Sequence, residues 1–162
     1  MSHLTNTQLL TLKAAILAEL DPAFVAFRTA NDRGSMATWY NGASTFTVWK
    51  SSVLLAQVGI GMNSAEVAGL GTAGSNQLQT LAAFSGGTFN PSVADVRAGF
   101  DSVFSGPSGA LTRVALLALW KRLARRVERV FATGTGLDAT PGLLVFEGTV
   151  NSSDIQDALE AV

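Results

Sequence analysis

The sequence predicts a mainly α protein: a helical bundle with one long amphipathic helix over about 110–132 and a short β-hairpin or extended arm near the C-terminus. Three observations carry this. Helix-start signals recur at Thr5, at Asp21-Pro22 and at Asn90-Pro91. Apolar and basic residues separate on two faces between 110 and 132. Glycine and proline then punctuate the chain from Gly134 to Gly148 around the short apolar run Leu143–Phe146.

The elements follow in order. Thr5 and Gln8 have the spacing of a capping box, and Leu9, Leu10, Leu12, Ile16, Leu17 and Leu20 continue at helical spacing. Asp21-Pro22 ends that helix and opens a second, which carries Phe24, Val25 and Phe27 and stops near Asn31. Gly34 closes the region; a short piece with Met36, Trp39 and Tyr40 leads to an Asn41-Gly42 turn. Over 43–87, Phe46, Val48, Trp49 and Val53 suit either a strand or a short buried helix. Five glycines between Gly59 and Gly74 give the most flexible composition in the chain, and Gln77–Phe84 reads as a helix ended by Gly86-Gly87. Asn90-Pro91 starts a helix that runs to about Phe104, and 105–109 break it. After the long helix and the arm, Asn151 or Ser152 caps a short final helix carrying Ile155, Ala158 and Leu159.

The 162 residues suit a single domain, 1–162, with 133–150 as a candidate docking arm. There is no cysteine and one histidine, His3. That excludes a disulfide scaffold, thiolate or multi-histidine metal sites and a cysteine nucleophile. No phosphate-binding Gly–Lys–Ser/Thr motif or G-x-S-x-G elbow occurs. Gly134-Thr135-Gly136 loosely matches a dinucleotide glycine pattern but follows a helix, so it reads as a C-cap and loop. The expectation is a non-enzyme with no cofactor and no metal. Only 14% of residues are charged while 48% are hydrophobic, a composition that fits a subunit hiding surface in an assembly. No signal peptide is legible, and Ser52–Met62 and Leu111–Trp120 fall short of the ~20 residues that span a bilayer. The chain reads as cytoplasmic when made, with no membrane partner.

On a continuous helix, Leu116, Leu119, Trp120, Leu123, Val127, Val130 and Phe131 share one face, and Lys121, Arg122, Arg125, Arg126 and Arg129 lie away from it. Arg113–Arg129 holds six bases and one acid, Glu128, for a net +5. Residues 130–162 hold Asp138, Glu147, Asp154, Asp157 and Glu160 with no base, for a net −5. The bases at Lys121/Arg125, Arg122/Arg126 and Arg125/Arg129 repel at i,i+4, and acidic partners within the subunit or on a neighbour relieve this. Four readings of the basic face stay open: a solvated face, a subunit or partner interface, a phosphate track and a membrane-surface patch.

Several stretches together resemble a family of small tailed-bacteriophage structural proteins, the head-to-tail connectors or adaptors encoded near the major capsid protein. They are Leu4–Leu9 with Leu12–Glu19, Trp39-Tyr40-Asn41, Thr47–Val53, Asn90-Pro91-Ser92 with Val96–Phe100, the clearest stretch from Lys121-Arg122 through Glu128 to Gly136, Pro141, Phe146-Glu147-Gly148 and Asp154-Ile155-Gln156. Residues 54–87 are more glycine- and alanine-rich than that family. The resemblance implies a virion protein at the head–tail junction, forming a homo-oligomeric ring between the portal protein and a tail or stopper protein. Genomic DNA passes through its lumen without sequence-specific binding. Lys121, Arg122, Arg125, Arg126 and Arg129 are the candidates for one face of the subunit interface, and Glu147, Asp154, Asp157 and Glu160 for the other. The alternatives are a capsid-decorating or minor head protein, and a small nucleic-acid-binding protein using 113–129.

Overall fold

The computed structural model describes residues 3–162. Helix makes up 59% of the chain, and two small two-stranded sheets accompany it. The chain divides into two compact units, Met1–Val48 with Leu123–Val162, and Trp49–Arg122.

The first unit opens with α1, Asn6–Ala18. The Thr5 hydroxyl accepts from the Gln8 amide at 3.3 Å, and the Gln8 side chain accepts from the Thr5 amide at 2.9 Å, so the capping box forms as its spacing predicts. Asp21 caps α2, Pro22–Thr29, by accepting the Ala23 and Phe24 amides. Arg28 then reaches back and donates to the carbonyls of Ile16, Leu17 and Glu19, closing the C-terminal end of α1. Residues 33–41 form a full helix, α3 (Arg33–Asn41), capped by Asp32, where Gly34 stood in the sequence as a terminator. A strong cap at Asp32 outweighs one glycine in the first turn. Strand β1, Ala43–Trp49, follows. Phe24, Trp39 and Tyr40 pack ring on ring at 4.7–5.3 Å. Around them Leu12, Ile16, Met36, Val127 and Ile155 are buried.

In the second unit, β2 (Val53–Leu54) pairs antiparallel with β3 (Thr88–Phe89). Between them lie α4 (Leu55–Gly61), α5 (Ser64–Ala68) and α6 (Thr72–Phe84). The glycine-rich stretch is thus helical in short pieces, and Gly86 and Gly87 end it with φ of 58° and 90°. The helix expected at Asn90-Pro91 begins later, as α7, Ala94–Val103. The Asn90 side chain closes a local turn instead, accepting the amide and hydroxyl of Ser92 at 3.0 and 2.6 Å. A short 3-10 turn, Pro107–Gly109, leads into α8, Ala110–Trp120. Phe89, Phe100 and Trp120 stack edge to face at 5.0 and 5.3 Å over Val58, Val103, Phe104 and Leu116.

The long helix over 110–132 is not there. The helix stops at Trp120, Lys121–Arg125 forms strand β4 paired with β1, and a short helix α9 resumes at Arg126–Phe131. A continuous helix would stack the like charges 121/125 and 122/126 on adjacent turns. Extended backbone separates them and offers β1 a ladder. In the first unit, Ser44 donates to the Ala124 carbonyl at 2.8 Å and the Arg126 amide to the Gly42 carbonyl at 2.9 Å.

The expected hairpin or free arm is also replaced. Thr133 and Leu143 form a single antiparallel bridge, and Gly142 bridges Val48 in parallel. The Thr47 amide donates to the Gly136 carbonyl at 2.8 Å and the Gly142 amide to the Thr47 carbonyl at 2.9 Å. Residues 133–143 therefore lie back along β1. The chain ends in α10, Ser152–Glu160, capped by Asn151 through the Ser153 and Asp154 amides. No single helix is long and apolar enough to cross a membrane among the described residues.

Candidate interaction surface

With the long helix broken, the five basic candidates no longer share one helical face. Lys121 and Arg122 lie half-buried in β4. Arg125 is exposed at the end of that strand, where it donates to the Gly148 carbonyl at 3.1 Å and approaches Glu128 at 3.7 Å. Arg126 lies over the Trp39 ring at 4.3 Å and donates to the Trp39 carbonyl at 3.0 Å. Arg129 is exposed. It lines an open depression of about 550 Å³ in the first unit, with Arg126, Glu19, Asp21, Trp39 and Tyr40. The depression brings two of the five bases together and sets two acids beside them.

The four acidic candidates divide as well. Glu147 and Glu160 are exposed, and Glu160 accepts from the Gln156 side chain at 3.0 Å. Asp157 is half-buried. Asp154 is fully buried: one oxygen accepts the Asn151 amide at 2.8 Å, and the other lies 3.4 Å from His3 Nδ1. It fastens the start of α10, and this withdraws it from the surface. His3 stacks on Phe146 at 5.9 Å.

Sequence reasoning passed over three structural devices. Glu128 is fully buried and accepts the Arg125 amide at 2.8 Å and the Gly148 amide at 3.2 Å. It joins the start of α9 to the segment before α10. Its signal was visible as the one acid among six bases. Glu66 spans the N-terminus of α8, accepting the Leu111 amide at 3.0 Å and the Thr112 amide at 2.7 Å. Thr112 in turn accepts the Asn63 amide. Desolvation pushes the Glu66 carboxyl up, but the hydrogen bonds from Thr112 and Leu111 and the nearby Arg113 together hold it below the ordinary glutamate value. The third device is the Phe46 ring, which lies against Gly136 and Gly142. A Cβ on either would come within 2.0 or 2.4 Å of it. The Gly134–Gly136 pattern is thus a bed for an aromatic ring.

Tyr40 faces the same depression. Burial foremost, then the charge of Glu19, raises its phenol, and Arg28 only partly offsets them. No three His, Asp or Glu side chains among the described residues are grouped to hold a metal ion.

No protein-family model, curated protein or solved structure matches the chain.

Proposed function

We propose that the protein is a structural virion subunit, a head-to-tail connector that forms a ring between the portal and the tail of a bacteriophage. The motif patches from Leu4 to Gln156 favour this reading. The observation that carries it is the surface. Ile60 is 86% exposed, Phe84 88%, Val114 68%, Val145 71% and Leu111 63%, on a chain with few charges. Apolar surface of that kind suits a subunit covered by neighbours.

The charge pattern adds a polarity to the ring contact. In the first unit, Arg129 lines the depression, whereas Glu147 and Glu160 are exposed outside it. A ring needs such unlike patches, each facing the other kind on the next copy. Portal protein, a tail or stopper protein and DNA in the lumen complete the proposed partners. The nucleic-acid alternative is weakened because Arg113, Arg125 and Arg126 bind carbonyl oxygens of their own chain.

Arg129→Glu is the sharpest test of this face. Reversal of Arg125 would set a carboxylate beside buried Glu128 and confuse folding with assembly. Arg129 is exposed, so its reversal leaves unfolding stability within about 0.5 kcal/mol. Incorporation into particles falls sharply. Normal incorporation of this variant excludes the face from the ring contact.

A further inference from the structure

We propose that the depression beside Trp39 binds a zwitterion, a small ligand in which a carboxylate and an organic cation are joined by a short linker. The carboxylate rests on Arg126 and Arg129, and the cation faces Glu19 and Asp21. The depression lies wholly in the first unit and holds about 550 Å³, within the range of about 300–1,000 Å³ of small-molecule sites. Its basic side is prepared. Arg126 and Arg129 stand three apart in α9, so their side chains share one face. The Arg126 guanidinium is held over the Trp39 ring at 4.3 Å, with one nitrogen donating to the Trp39 carbonyl at 3.0 Å. Its other nitrogens bond to nothing among the described residues, and the Arg129 side chain makes no hydrogen bond or ion pair there. Two neighbouring guanidiniums that no carboxylate of the chain pairs with form a fork for a planar carboxylate.

The acidic side is half used. One oxygen of Glu19 accepts the Leu20 and Asp21 amides, each at 3.0 Å, and one oxygen of Asp21 accepts the Ala23 and Phe24 amides. The second oxygen of each has no partner among the described residues. Tyr40 is the independent sign of a ligand. It is only 2% exposed and lines the depression, yet its hydroxyl bonds to no group of the described chain. That hydroxyl is not sealed from solvent. Burial first, then the charge of Glu19, keeps it protonated, so it stands ready as a donor. A buried hydroxyl without a partner is costly unless something outside the chain meets it. Charge balance then selects the class of ligand. Two bases and two acids leave the lining neutral. A dianion such as inorganic phosphate meets two carboxylates, and a bare organic cation meets two guanidiniums. A zwitterion meets opposite charge at both ends. Free amino acids and polypeptide segments with adjacent acidic and basic side chains share this chemistry. The site belongs to the single chain and stands without the connector reading.

The experiment is an amide chemical-shift titration of the full chain at constant ionic strength, with ligands up to about 20 mM. The ligands are ω-amino acids from 4-aminobutanoate to 8-aminooctanoate, each compared with the alkanoate and the alkylamine of the same length, and inorganic phosphate. The best ω-amino acid is expected to shift the amides around Glu19–Asp21 and Arg126–Arg129, and to bind at least about fivefold tighter than either singly charged analogue or phosphate. The blocked dipeptide acetyl-Glu-Lys-amide carries the same charges on a peptide. If it binds tighter than the ω-amino acids the source is a polypeptide, and if weaker, a free small molecule. Two variants turn the selectivity in opposite directions, which a merely structural effect would not do. Arg129→Gln weakens the zwitterion and the alkanoate at least about threefold and tightens the alkylamine. Glu19→Gln keeps an oxygen for the Leu20 and Asp21 amides, weakens the zwitterion and tightens the alkanoate. Tyr40→Phe weakens the zwitterion about threefold and leaves urea unfolding unchanged, because its hydroxyl bonds to nothing in the described chain. No binding by any zwitterion overturns the proposal. So does an alkanoate or phosphate that binds as tightly as the zwitterion, or a pair of variants that move the singly charged ligands in the same direction.

Discussion

Gly136 shows how much one missing side chain can fix. Its φ of +66° and the Phe46 ring both demand a residue without a Cβ. The ring holds 136 and 142 against β1, and this returns the chain towards α10. Gly136→Ala should therefore cost about 3 kcal/mol, combining left-handed strain with overpacking. Chemical denaturation of the purified variant measures it. A loss under about 0.5 kcal/mol would mean that the ring moves aside freely. The two buried acids work at the same scale. Glu128 and Asp154 each bind backbone amides of segments that lack ladder partners there. A buried carboxylate costs little when amides satisfy it and much when they do not.

At the scale of elements, the instructive case is 110–131. Hydrophobic period alone reads it as one helix, because Leu116, Leu119, Leu123 and Val127 do share a face at 3.6 residues per turn. What decides the break is not periodic. It is the repulsion within Lys121–Arg126, the availability of β1, and a restart at Arg126 stapled by Glu128. Elements whose signals are local were legible: the Thr5–Gln8 box, the Asp21-Pro22 start and the Asn151 cap. Elements that depend on a distant partner were not. Strand β4 needs β1, and residues 133–143 lie down where Thr47 bonds their backbone and Phe46 receives the glycines. The Glu66 cap of α8 is likewise long-range and carries a pH signature. Its carboxyl titrates lower folded than unfolded, so the stabilisation is present above the ordinary glutamate pKa and is lost as pH falls through the depressed folded value. Urea unfolding at a series of acidic pH values should show a flatter acid limb for Glu66→Gln than for the wild-type chain. Parallel limbs would remove Glu66 from that role.

For the whole molecule, the sequence made the greasy, sparsely charged surface legible, since composition alone requires apolar groups to remain outside. The candidate site was legible only in part. Charge counting located a basic segment and an acidic segment. It did not foresee that Arg125 and Arg126 are used within the chain, that Asp154 is buried, or that Arg129 lines a depression together with two acids. Side-chain roles of that kind follow from which segments meet. The central claim, that the chain is a ring subunit at the head–tail junction, is tested most directly by counting copies per particle. Quantitative mass spectrometry of purified virions, against portal and major capsid protein, gives that count. The account predicts a copy number equal to that of the portal. A number near that of the capsid protein, or absence from the virion, would contradict it.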